Sequence, residues 1–189
     1  MEGALPVKQS KTLLRTFLFF IFIFLAALAG LPTAYGYLHP ADPLILLAAM
    51  LLPAPHALLA AGFGSVLADV FKGFYLLAPV TLALKLLMVL AARALLHTRA
   101  AQKHPECMIL PAFLIPVAGY YLAEAIALLI GGEGSAAFLL AAGTLRKDLI
   151  QAAASALLFI LIYDIYKGVE AGRAEFRRQN KEQEEEGEH

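Results

Sequence analysis

The chain has 189 residues, no net charge, 60% hydrophobic residues and only 16% charged ones. A soluble domain averages about half apolar and about a quarter charged, so this composition argues against one and, with its long apolar runs, for a bilayer protein. The single cysteine, Cys107, excludes an internal disulfide. The basic residues cluster at segment ends rather than along a stripe, so no nucleic-acid partner is implied. No GxxxxGK[ST] sequence occurs, so no nucleotide-driven motor is expected in the chain.

Residues 1–15 form a basic N-terminal segment with Lys8, Lys11 and Arg15. Thr16 to Tyr35 follows, 20 residues without a charge, which predicts a first spanning helix. The basic start, the run FLFFIFIFL and Ala27-Leu28-Ala29 also resemble a signal peptide with its cleavage site. The apolar run continues past that point, which favours an uncleaved helix. Pro43 to Phe71 is too long for one helix and slightly short for two. Pro53 and Pro55 break it, because proline removes a backbone donor and pushes the residue before it out of the helical region. The expectation is a short second helix to about Leu52, a tight turn, and a third helix to about Val70. Pro79–Leu96, Leu110–Ile130 and Leu149–Tyr163 predict helices four to six. Residues 169–189 are first basic and then acidic and read as a frayed, solvated tail. The predicted fold class is all-α: an integral membrane bundle of six transmembrane helices over residues 16–168.

Charge sets the expected orientation. With six helices, 11 of the 15 Lys and Arg residues share one side with both termini. Lys72, Arg146 and Lys147 fall on the other side, and Lys85 lies within helix four. The positive-inside rule then places both ends in the cytoplasm.

Polar residues inside the apolar segments converge in depth. Asp69 lies near the outer end of helix three, Lys85 two turns into helix four, Glu124 two turns below the outer end of helix five, and Asp148 and Gln151 near the start of helix six. At about 1.5 Å per residue all fall in the outer part of the bilayer. Charges there survive where they pair or handle something polar. Tyr120 and Tyr121 precede Glu124 by four and three residues, Thr81 precedes Lys85 by four, and Ser155 follows Gln151 by four; such spacings share a helical face. Together they predict an outward pocket with aromatic walls and a few polar groups. Glu124, with no basic residue nearby in sequence, is the leading ligand contact, and Tyr120 would stack beside it. Each residue also has a plainer role. Asp69 and Lys85 would neutralise each other and fix helix packing, and Tyr121 would sit in an interfacial belt. No His/Cys/Asp cluster has metal spacing, and neither a metal nor a cofactor is expected. Ala26, Gly30 and Ala34 on helix one, and Ala60, Gly64 and Ala68 on helix three, form rows of small residues that let helices approach closely. The row on helix one is expected to face a partner protein.

Gly62-Phe63-Gly64-Ser65-Val66-Leu67-Ala68-Asp69, then Gly73, then Ala78-Pro79-Val80-Thr81 and Lys85, closely resembles the middle segment of the substrate-binding (S) components of energy-coupling factor (ECF) vitamin transporters. Gly119-Tyr120-Tyr121-Leu122-Ala123-Glu124 resembles the fifth helix of members that handle pyridoxine-like or hydroxymethylpyrimidine-like compounds. Leu149-Ile150-Gln151 is similar to the start of the sixth, and Ala26-Gly30-Ala34 to the AxxxA-type contact on helix one. The resemblance spans most of residues 16–168. It implies a six-helix protein of a prokaryotic cell membrane that captures a vitamin or vitamin precursor from outside. It also implies docking on a transmembrane coupling (T) protein driven by two ATPase subunits. Arg146-Lys147-Asp148 departs from the Pro and Asn that related members carry before the helix-six Gln, which leaves the substrate open. The N-terminal Met-His of metal-carrying relatives is absent, which argues against nickel or cobalt as cargo. Two other classes compete. A structural MreD-like scaffold would have six helices and no ligand. An intramembrane serine protease would need a GxSG-like serine and a deep histidine, which Ser65 in GFGSV and the loop residue His39 do not supply.

Overall fold

Prolines and glycines cut the apolar sequence into helices. The structure, a computed structural model, describes residues 7–33, 36–38 and 40–187. Six apolar helices make the bundle: α1 (Val7–Leu28), α2 (Ala41–Leu51), α3 (Ala54–Phe71), α4 (Ala78–Leu96), α6 (Ile109–Ile130) and α8 (Leu145–Gly187). A short α5 (Arg99–Lys103) and a 3₁₀ turn (Pro105–Met108) join α4 to α6. A second 3₁₀ turn (Gly134–Ala136) and α7 (Ala137–Ala142) lead into α8. Between α1 and α2, β1 (Leu31–Thr33) and β2 (Gly36–Leu38) pair antiparallel, with Leu31 opposite Leu38. The protein is an all-α, multi-pass membrane bundle apart from this small hairpin.

The helix ends follow from local chemistry. Leu52, ahead of Pro53, is extended at φ −105°, ψ 155°, which stops α2. Pro55 then sits in the first turn of α3, where its missing N–H costs nothing. Gly73 takes φ +81° just past α3. Its N–H bonds the carbonyl of Val70 at 3.0 Å and that of Phe74 bonds Asp69 at 2.8 Å, closing the helix end.

α2 is the hub. It touches α1, α3, α4, α6 and α8, and Ile45, Leu46 and Ala48 are fully buried. Around it pack Ile23 of α1, Met88 and Val89 of α4, and Phe159 of α8. α1 lies against α3, where Gly64 makes the contact possible: a Cβ there would stand 3.0 Å from the Phe20 carbonyl oxygen and 3.1 Å from Ile23. The small residues of α3 are therefore the close-packing seam for α1.

Three expectations change. Helix one ends at Leu28 rather than Tyr35, because the chain turns into the hairpin. Ala26, Gly30 and Ala34 are consequently not one helical face. Ala26, partly buried, packs against Ala27, Ala41 and Ala68, Gly30 lies past the helix end, and Ala34 lies outside the described residues. The second helix is short, as expected: its 11 residues span about 16 Å, roughly half the hydrocarbon thickness. Among the described residues five helices are long and apolar enough to cross a membrane, and the short α2 completes the expected six. The charged segment after residue 168 is not frayed, since α8 continues through it to Gly187.

The two kinds of helical glycine should respond oppositely to alanine. Gly64→Ala is expected to destabilise the protein by about 1–3 kcal/mol, because a backbone carbonyl blocks the added methyl. Gly168→Ala, with nothing within 4 Å of its Cβ position, is expected to stabilise by about 0.5–1 kcal/mol through helix propensity. Thermal unfolding in detergent reads both. A stabilising Gly64→Ala would show that α1 does not pack this closely.

Candidate ligand-binding site

Polar side chains from five helices meet at the end of the bundle where α2, α4 and α8 begin and α3 finishes. They line a cavity of about 320 Å³. α2 contributes Asp42, α3 contributes Asp69, and the α3–α4 connection contributes Lys72, Phe74 and Leu77. α4 adds Thr81 and Lys85, one turn apart, and α6 adds Pro116 and Tyr120, also one turn apart. The first turns of α8 supply Lys147, Asp148 and Gln151.

Lys85 is the most buried large side chain at this end, 2% exposed, and its Nζ donates to Asp42 Oδ1 at 2.5 Å. Asp42 is 1% exposed and sits in the first turn of α2, where the helix dipole favours a carboxylate. The ammonium also lies 5.9 Å from the Tyr120 ring centroid, within reach of the ring's negative face. Tyr120 Oη and Thr81 Oγ1 share a hydrogen bond of 3.1 Å, and Asp69 lies beside Thr81. α4 and α6 are thus locked at the depth of the cavity. Gln151 Nε2 donates to Ser155 Oγ at 3.0 Å along α8.

Lys72 joins the cavity rim to α1. Its Nζ donates to the Ala27 carbonyl at 2.6 Å, one of the unpaired acceptors at a helix C-terminus, where a cation is favoured. Burial pushes its ammonium below the usual lysine range, and the nearby Asp69 carboxylate pulls it back. Asp148 sits in the first turn of α8 with Lys147 Nζ 3.5 Å from its Oδ1.

Six of the eight residues singled out in the sequence line this cavity: Asp69, Thr81, Lys85, Tyr120, Asp148 and Gln151. Glu124 and Tyr121 are not among its lining residues. Glu124 is half-buried one turn further along α6, within electrostatic reach of Asp148. Tyr121 turns toward α7, its hydroxyl 3.4 Å from the Phe138 carbonyl. The ion pair expected between Lys85 and Asp69 is made instead with Asp42. Asp42 was not singled out because it stands at the edge of an apolar run, where a carboxylate reads as a loop charge. Its position three residues before Ile45, at a helix start, is the signal that marks it as a first-turn acid.

The buried pair should behave as a unit. Asp42→Asn leaves Lys85 without its counter-charge and should cost about 3–5 kcal/mol. Adding Lys85→Met, which removes the stranded charge, should recover most of that loss. A melting series in detergent over the two single variants and the double variant reads the coupling. Additive losses would show that the two side chains do not depend on each other.

A family model described as the S component of an ECF-type riboflavin transporter matches residues 13–168. No curated protein and no solved structure matches the chain. The matched span takes in every helix that lines the cavity, from α2 to the membrane part of α8. The chain therefore belongs to the family of ECF-type riboflavin transporter S components.

Proposed function

We propose that this protein is the substrate-capturing membrane subunit of an ECF-type importer and that its ligand is a neutral flavin, riboflavin. The family match supports the transport role, and the cavity supports the ligand. A volume of about 320 Å³ lies at the lower end of the range for small-ligand sites, and the family match favours riboflavin over pyridoxine-like or hydroxymethylpyrimidine-like compounds. Charge carries the choice of a neutral ligand. Asp42, Asp69 and Asp148 face Lys72, Lys85 and Lys147 around the cavity, so the lining is balanced. A net-charged ligand would have to leave its hydration shell without a compensating excess of opposite charge. Tyr120 and Phe74 offer aromatic surface to a flat ring. Lys85, held by Asp42, fixes the cavity floor, while Gln151 and Thr81 supply polar contacts.

In this reading the ligand enters from the outer side of a prokaryotic cell membrane, and both chain ends are cytoplasmic. A transmembrane coupling (T) protein with two ATPase subunits supplies the energy. The charge segregation supports this orientation, since Arg93, Arg99 and Lys103 lie toward the opposite end from the cavity.

Two measurements test the proposal. Purified protein freed of bound small molecules should quench riboflavin fluorescence, and should bind the phosphorylated flavin at least about tenfold more weakly. Tyr120→Leu should reduce riboflavin affinity by about tenfold through lost ring contact. Stronger binding of a pyridoxine-like compound than of riboflavin would reassign the substrate. For orientation, Lys103→Cys and Gly132→Cys are made in a Cys107→Ser background. Impermeant thiol reagents should label position 132, and not 103, in intact cells; the reverse pattern would invert the protein.

A further inference from the structure

α8 is one uninterrupted helix from Leu145 to Gly187. About 20 residues of helix cross the hydrocarbon layer, so the segment from Asp164 onward stands beyond it. A helix surrounded by water gains nothing from an apolar line, yet this one carries it. Ile165 is 59% exposed, Val169 48% and Phe176 63%. With Gly172 between the last two, they recur at steps of four, three and four residues, and Gln179 and Gln183 continue the line at steps of three and four. That is the spacing of the a and d positions of a coiled coil. Every charged residue from Asp164 to Arg178 falls off the line. A Cβ at Gly172 would meet nothing within 4 Å, so in a single copy the seam lies open. An exposed apolar seam rimmed by charge marks an interaction surface.

We propose that this segment pairs with the same segment of a second copy of the chain, as a parallel two-stranded coiled coil. Two copies inserted alike send the segment out of the same membrane face, parallel and in register, so each seam residue meets its own twin. Gln179 and Gln183 suit that arrangement, because an amide carries both donors and an acceptor and can satisfy an identical amide across a two-fold axis. Gly172 leaves its layer open for the paired Phe176 rings of the next one. In the flanking positions Arg173 faces Gly168 of the other copy and Glu175 faces Asn180, so no like charges are opposed there. The seam is short for a coiled coil formed in solution. Two copies held in one membrane meet at a raised effective concentration, which offsets its length. Lying flat on the lipid would need a break in α8, and the helix has none. α8 packs on α2, α6 and α7, whereas α1 packs on α2 and α3, so pairing through α8 leaves α1 uncovered.

Disulfide cross-linking of the full chain in membranes tests the pairing. Cys107→Ser removes the natural thiol. In that background Val169→Cys and Gly172→Cys, on the seam, should form disulfide-linked dimers on oxidation with copper phenanthroline. Ala171→Cys and Ala174→Cys, off the seam, should remain monomeric. Adding Phe176→Glu should abolish the cross-link at position 169. The same substitution alone should shift the purified protein in detergent from two copies to one by light scattering. No dimer at either seam position overturns the proposal. Cross-linking at 171 and 174 as strong as at 169 and 172 overturns it as well, because it reports random collision. A cross-link from the seam to a different protein, in place of the dimer, assigns the stripe to another partner and overturns the second copy. A dimer that survives Phe176→Glu in both measurements lies on another surface.

Discussion

The buried contact between Lys85 and Asp42 governs how this bundle is put together. Neither residue is more than 2% exposed, so each depends on the other to remain charged away from water. The pair joins the first turn of α2 to the upper part of α4. At the far end of α2, Arg93 of α4 donates to the carbonyls of Ala49 at 3.0 Å and Leu52 at 2.9 Å. These are the acceptors that an α-helix leaves unsatisfied at its C-terminus. α2 is therefore clamped to α4 at both ends, in parallel, by two cations eight residues apart. The apolar contacts between them are non-directional and would tolerate sliding; the two polar clamps set the register.

That register determines where a cavity can form. α2 has only 11 residues, so it cannot fill the bundle from one face of the bilayer to the other. Its first turn stops level with Lys85 and Thr81 of α4 and Tyr120 of α6. Beyond Asp42 the surrounding helices continue without a central helix between them. The side chains of α3, α4, α6 and α8 that would have packed on a longer α2 face open space instead. Most of the lining carries charge, a hydroxyl or an amide, beside the apolar Phe74, Leu77 and Pro116.

Much of this was legible in the sequence, and the exceptions have physical causes. Helices one and three to six were visible because apolar runs near 20 residues have one reading in a bilayer. The break at Pro53 and the end at Gly73 followed from backbone chemistry. Comparing depths along antiparallel helices picks out four cavity residues, Asp69, Lys85, Asp148 and Gln151, and helical spacing adds Thr81 and Tyr120. Depth alone does not give azimuth: Glu124 and Tyr121 share the level of the site but point elsewhere on α6. The partner of Lys85 differs from the expected one because the second apolar segment reads from Pro43, whereas α2 begins at Ala41 and takes Asp42 into its first turn. The hairpin was hidden because Leu31, Pro32 and Thr33 extend an uncharged run, and hydropathy does not distinguish a strand from a helix end. The continuous α8 was missed because charge-rich segments read as solvated coil, although alternating Arg and Glu also support a helix, as Arg173 and Glu170 do at 3.0 Å.

The hairpin lies between the end of α1 at Leu28 and the start of α2 at Ala41. In a bilayer an unpaired backbone is costly, and pairing β1 with β2 satisfies it locally. β2 also reaches α8, across the bundle from α1. The segment thus ties the first helix to the last at the end where the cavity lies, and Lys72, bonded to Ala27 at the end of α1, ties the same point to α3. Cavity, hairpin and α1 terminus form one connected unit.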